Sequence, residues 1–98
     1  MALVIPTDDQ EPYELSPATP PAFSLEEIHR TIGGYMETIE LRNGLWLVAN
    51  EDGLRLELQP NGFATWLVRH WARRTLVYPA YVVGVCLVAT TEELGGRE

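Results

Sequence analysis

The chain has no lysine; all seven of its basic residues are arginines. It has one cysteine, Cys86, so no internal disulfide can form. No apolar run approaches the roughly 20 residues that a membrane-spanning helix needs. The opening Met1-Ala-Leu-Val-Ile lacks the basic region and the long apolar stretch of a secretory signal. These absences predict a cytoplasmic protein with no membrane partner. Catalytic patterns are missing as well. His29, His70 and Cys86 are isolated from one another, and no pair of acidic residues shares a motif. Without a nucleophile–base arrangement or metal-ligand spacing, the sequence predicts no enzyme, no catalytic residue, no metal and no cofactor.

What is present is a 98-residue chain with 46% hydrophobic residues, the composition of one small globular domain. A core of this size is modest, so self-association would add useful burial, and a homo-oligomer is expected. The net charge of −7 argues against direct binding to nucleic-acid backbone. The distribution of charge says more than the sum. No Asp or Glu occurs between Glu57 and Glu92, and Arg69, Arg73 and Arg74 fall inside that stretch. An acidic chain thus contains a locally basic island.

Local signals predict an α+β fold: an antiparallel sheet of about five strands with two helices. Ala2 to Ile5 reads as a short strand stopped by Pro6, followed by an acidic, proline-rich arm in which Tyr13-Glu14-Leu15 can pair as an edge strand. Residues 1–23 form this first part, residues 24–90 the core domain, and residues 91–98 a polar tail. Ser24-Leu-Glu-Glu27 is a capping box, flanked by Phe23 and Ile28 at the positions of a hydrophobic staple. Leu25, Ile28 and Ile32 supply one apolar side, and Gly33-Gly34 ends the helix.

Asn43-Gly44 is a strong hairpin signal between two alternating segments. A two-residue turn pairs Leu41 with Trp46, Ile39 with Val48, and Glu37 with Asn50. That register places Tyr35, Ile39, Leu41, Trp46 and Val48 on one core face. Leu54, Leu56 and Leu58 alternate with charged residues and predict a further strand. Asn61 is a candidate N-cap for a second helix from Phe63 to about Arg74, beyond which Pro79 blocks continuation. Tyr81 to Ala89 is apolar at both parities, as a doubly covered central strand should be.

The second helix carries the main candidate site. At 100° per residue, Phe63, Ala64, Leu67, Val68 and Trp71 form a core-facing sector. Trp66, Arg69, His70 and Arg73 fall on the adjoining flank, with Arg74 close by. A ring among guanidinium groups can stack a planar group and neutralise an anion. The competing reading has Trp66 packing at the core's edge, the arginines solvated and Arg74 complementing the helix end. Secondary candidates are Gly33, Gly34 and Tyr35, where glycines would admit a ligand close to the backbone, and Glu37 with Asn50, a polar pair at the end of the sheet. Helix capping and a structural polar pair are the competing readings of these two.

Gly33-Gly34-Tyr35-Met36-Glu37, Asn50-Glu51-Asp52-Gly53, Pro60-Asn61-Gly62-Phe63-Ala64-Thr65 and Val83-Gly84-Val85 together resemble the domain-of-unknown-function family numbered 3846. The resemblance runs over roughly residues 24 to 90. It implies a phage or mobile-element setting in a bacterial host cytoplasm and brings no catalytic residues. The expectation that follows is a non-enzymatic binding protein that sequesters a small anionic, nucleotide-like ligand against host defence. The alternative is an acidic protein-binding module, or nucleic-acid mimic, that inhibits a host protein.

Overall fold

Three segments, Ala2–Ile5, Leu45–Asn50 and Cys86–Thr90, are apolar at both parities and can bury both faces of a sheet. In the computed structural model, which describes residues 2–7, 10–73 and 81–96, they lie at its centre. Arg74 and Pro79 fall outside the described residues. In chain order the elements are β1 (Ala2–Ile5), β2 (Tyr13–Leu15), α1 (Leu25–Ile32), β3 (Met36–Glu40), β4 (Leu45–Asn50), α2 (Gly62–Trp71) and β5 (Cys86–Thr90). The strands pair antiparallel throughout, in the order β2-β1-β5-β4-β3. This is the expected α+β arrangement of five strands and two helices, but α2 ends at Trp71 rather than near Arg74, because the chain beyond it pairs with β3. The last strand begins at Cys86 rather than Tyr81, after Gly84 turns the chain at φ 81°.

The sheet is covered on both sides. Val4, Val48, Leu87 and Ala89 meet Phe23, Ile28 and Ile32 of the α1 layer. Ile5, Leu47, Ala49 and Cys86 meet Ala64 and Val68 of α2. Ser24 starts α1 with both halves of the capping box: its hydroxyl accepts from Glu27 N at 3.1 Å, and Glu27 accepts from Ser24 N at 2.9 Å. Gly33 ends the helix at φ 83°, in the left-handed region that glycine enters without strain. Leu25, expected on the apolar side, is exposed; Ile28 and Ile32 do the packing.

The hairpin register differs from the expected one by a single residue. Met36 pairs with Asn50, Thr38 with Val48, Ile39 with Leu47 and Glu40 with Trp46. Asn43 and Gly44 do take the turn, with φ of 62° and 72°. Beside it, however, Leu41 N donates to Leu45 O while Leu45 N donates to Arg42 O, so two residues oppose one. This bulge absorbs a residue and reverses the parity of the whole pairing. Ile39 and Leu41 therefore face α2, whereas Trp46 and Val48 face α1, and Tyr35 is exposed. The cause lies outside the hairpin. Arg42 N donates to Trp71 O, Arg73 N donates to Glu40 O, and Leu41 bridges Ala72. The chain leaving α2 thus pairs with the outer edge of β3 and holds the bulge in place.

Leu54 to Leu58 is not a strand but a wound turn, in which Leu56 N donates to Asp52 O and Leu58 N to Gly53 O. Both edges of β4 are already taken by β3 and β5, so a strand following β4 cannot pair with it as a simple hairpin. After β5, Leu94 is fully buried in the α1 layer, and Glu93 O accepts from Phe23 N. In the sheet, β1 lies between β2 and β5.

Candidate functional site

Asn61 fixes where α2 begins. Its side-chain oxygen accepts from Ala64 N at 3.0 Å, and its amide donates to Ile5 O and Gly84 O, each at 2.9 Å. One buried side chain thus caps the helix and ties it to β1 and to the approach of β5. From that start, Ala64 and Val68 turn to the sheet, with Leu67 and Trp71 partly buried beside them. Phe63, expected in the core sector, is instead 46% exposed: it sits in the first turn, outside the packed sector.

Trp66 is 49% exposed. Its ring lies 4.8 Å from that of His70, tilted by 35°, and 6.4 Å from that of Phe63. The three rings follow one another up the outer flank of α2. Arg69 is exposed on the same helix. Arg73 is committed elsewhere: its guanidinium reaches Glu40 Oε2 at 3.1 Å, and its backbone N–H pairs with Glu40 O. Arg74 lies outside the described residues. The structure therefore gathers Trp66 and His70, adds Phe63, and turns Arg73 toward β3.

The secondary candidates separate onto two faces. Gly34 approaches Asn50 so closely that an added Cβ would lie 2.8 Å from its Nδ2. Asn50 is buried; it accepts from Asp52 N at 2.9 Å and donates to Ile32 O at 3.4 Å. Gly33 and Gly34 are helix-ending and packing residues, and exposed Tyr35 meets His29 edge-on at 5.2 Å. The expected pairing of Glu37 with Asn50 does not form. Glu37 stands opposite Ala49, on the α2 side of the sheet, because of the parity change at the bulge.

Glu37 and Asn50, though not paired, both line a cavity of about 290 Å³, with Ile39, Ala49, Val82 and Val83 as apolar walls and Leu54 and Tyr81 at 62% and 54% exposure. Among the described residues its carboxylate has no hydrogen-bond or ion-pair partner. Desolvation, assisted by the charge of Glu51, holds its pKa above the ordinary carboxylate value. Burial, with a smaller contribution from Glu37, pushes the Cys86 thiol up to about 12. Tyr81 and Leu54 were not singled out from the sequence. The only signal was a polar-tipped aromatic at the head of an otherwise apolar run, and a leucine inside a turn motif. Among the described residues no group of three His, Cys, Asp or Glu side chains is placed to hold a metal ion, and no helix is long and apolar enough to cross a membrane.

The four short motifs meet in space. Gly34 packs on Asn50, an added Cβ on Gly53 would strike Val83 Cγ2 at 2.6 Å, Asn61 N donates to Val82 O, and Gly84 N donates to Gln59 O. These motif residues are held by close packing, whereas Glu37 and Glu51, both exposed, face the cavity. The family model described as Domain of unknown function (DUF3846) matches residues 1–97, taking in the arm and the tail as well as residues 24–90. No curated protein and no solved structure matches the chain.

Proposed function

We propose, for a chain that belongs to the family of domains of unknown function DUF3846, a non-enzymatic binding protein that docks on a protein partner through the outer flank of α2. The observation that carries this reading is the exposed run of Phe63, Trp66 and His70, three rings in contact along one helix. Trp and Arg side chains dominate binding energy at protein interfaces, and a half-exposed Trp on a convex surface offers apolar area that a flat partner can cover. Small ligands are held differently, in concave sites that bury most of their surface. The arginines support the same reading. Arg73 pairs with Glu40 and Arg55 with Asp52 at 3.4 Å, so both are engaged within the chain's own surface. The phage or mobile-element setting, with a host protein as partner and inhibition as the outcome, belongs to this proposal.

A second reading keeps the small anionic, nucleotide-like ligand. It draws on the placement of Arg69 and His70 around Trp66, and it needs a second copy of the chain to close over the helix. A thermal-shift screen of nucleotides, cyclic dinucleotides and ADP-ribose derivatives separates the two, run beside light scattering and affinity capture from bacterial lysate. The docking reading expects no ligand-induced shift, and a captured protein lost in both Trp66→Ala and Phe63→Ser. A stabilisation that disappears in Arg69→Ala, in a protein that scatters as an oligomer, would replace it with sequestration. A ligand at 100 times its dissociation constant adds about 2.7 kcal/mol, well within reach of the screen.

A further inference from the structure

The cavity beside Glu37 has features that the α2 surface does not share. Its walls are aliphatic, from Ile39, Ala49, Val82 and Val83. An aromatic ring, Tyr81, and a leucine, Leu54, stand exposed among its lining residues. Among the described residues, the charged groups that line it are Glu37 and Glu51, both carboxylates. Glu37 is exposed and, among the described residues, has neither a hydrogen-bond nor an ion-pair partner, so its carboxylate is open to a cation from outside. At about 290 Å³ the space lies at the low end of small-molecule sites, which begin near 300 Å³. It suits one side chain better than a nucleotide.

We propose that this cavity receives an arginine side chain from a basic peptide segment of a partner protein. The aliphatic stem would lie along Ile39, Val82 and Val83, and the guanidinium would meet the Glu37 carboxylate at its end. A guanidinium presents a planar fork that matches a carboxylate, is weakly hydrated, and stacks on aromatic faces such as that of Tyr81. The charge complementarity is one-sided: an anionic group would face two carboxylates, and a neutral apolar group would leave Glu37 unpaired under it. Gly53 keeps the turn tight against Val83, where a larger residue would displace the wall. This site stands apart from the α2 surface and does not depend on the reading given to it.

The test is an amide-resonance titration of the full chain with an acetylated, amidated Gly-Arg-Gly peptide. Butylguanidinium, butanol and butyrate serve as the comparison probes. The peptide and butylguanidinium should shift the amides of Glu37, Gly53 and Val83 saturably, the peptide more tightly, and added salt should weaken both. Glu37→Gln preserves shape and removes charge. It should weaken peptide binding about tenfold or more, the loss expected for one charge-assisted contact. The rest of its spectrum reports whether the fold is intact. Equal shifts with butanol, undiminished binding in folded Glu37→Gln, or silence at these amides would each overturn the proposal. Butylguanidinium bound as tightly as the peptide would overturn the assignment to a peptide partner.

Discussion

Asn61 shows how much one residue can organise. A sequence reading makes it a helix cap, but the structure adds two donated bonds, to Ile5 O and Gly84 O. Asn61→Ala should therefore cost roughly 2–4 kcal/mol, more than a cap alone, because two buried carbonyls lose their donor. Asn61→Asp separates the roles. It can still accept from Ala64 N but cannot donate, so urea denaturation should show it well below wild type, whereas a pure cap would survive the change. Cys86 is a second case. The sequence suggests a small buried hydrophobe, and the thiol, fully buried and raised to about 12, is held protonated by desolvation. It should resist alkylation by iodoacetamide in the native protein and react fully in denaturant. Rapid native labelling would contradict the packing described for β5.

At the scale of elements, α1 and α2 differ in how legible they were. Ser24, Glu27 and Gly33 carry their own start and stop chemistry, and α1 forms where that chemistry puts it. Ser24→Ala should cost about 1 kcal/mol by thermal or chemical denaturation, the ordinary worth of an N-cap. The start of α2 was equally readable from Asn61, and so was most of its facing, since Ala64, Leu67, Val68 and Trp71 pack on the sheet as expected. Phe63 satisfies helical periodicity yet lies outside the packed sector, so periodicity alone assigned it to the core. The β3–β4 hairpin makes the same point more sharply. Asn43-Gly44 turns as its sequence demands, and still the pairing slips by one. The deciding bonds come from Trp71 and Arg73, some thirty residues on in the chain. Since side chains alternate with a period of two, that slip moved Glu37 away from Asn50 and onto the cavity wall.

For the whole molecule, the carboxylates set the pH response. Glu27 is held below its ordinary value, first by the backbone N–H of Ser24 and then by that of Ala18. Glu93 is pulled up by burial, but hydrogen bonds, among them the one its carboxylate accepts from Thr90 N, leave it lowered on balance. Depressed carboxyls stabilise the fold above their unfolded pKa, and that contribution is lost as pH falls through the folded value. Stability should therefore decline from about pH 5 downward, less steeply in Glu27→Gln. Glu37 has the opposite sign. Its raised pKa means that the fold opposes ionisation, a penalty absent at low pH and fully present once pH exceeds the folded value. Glu37→Gln should be more stable than wild type at neutral pH and nearly equal to it in acid. Denaturation curves at two pH values check both signs, and a gain in stability with a loss of peptide binding is the pattern expected of a residue kept for binding.

By itself the sequence determined the class of fold, the N-caps of both helices, the edge strand at Tyr13–Leu15, the presence of a doubly covered strand in the last apolar run, and the family that the four motifs mark. These rest on contacts within a few residues or on composition at both parities, which any tertiary setting leaves intact. Only the tertiary structure decided the hairpin register, the turn at Leu54–Leu58, the anchoring of Leu94, and the separation of Glu37 from Asn50. Each depends on which strand edges were already occupied and on bonds between segments distant in the chain. Competition for those edges is a property of the assembled sheet, and no local window of residues carries it.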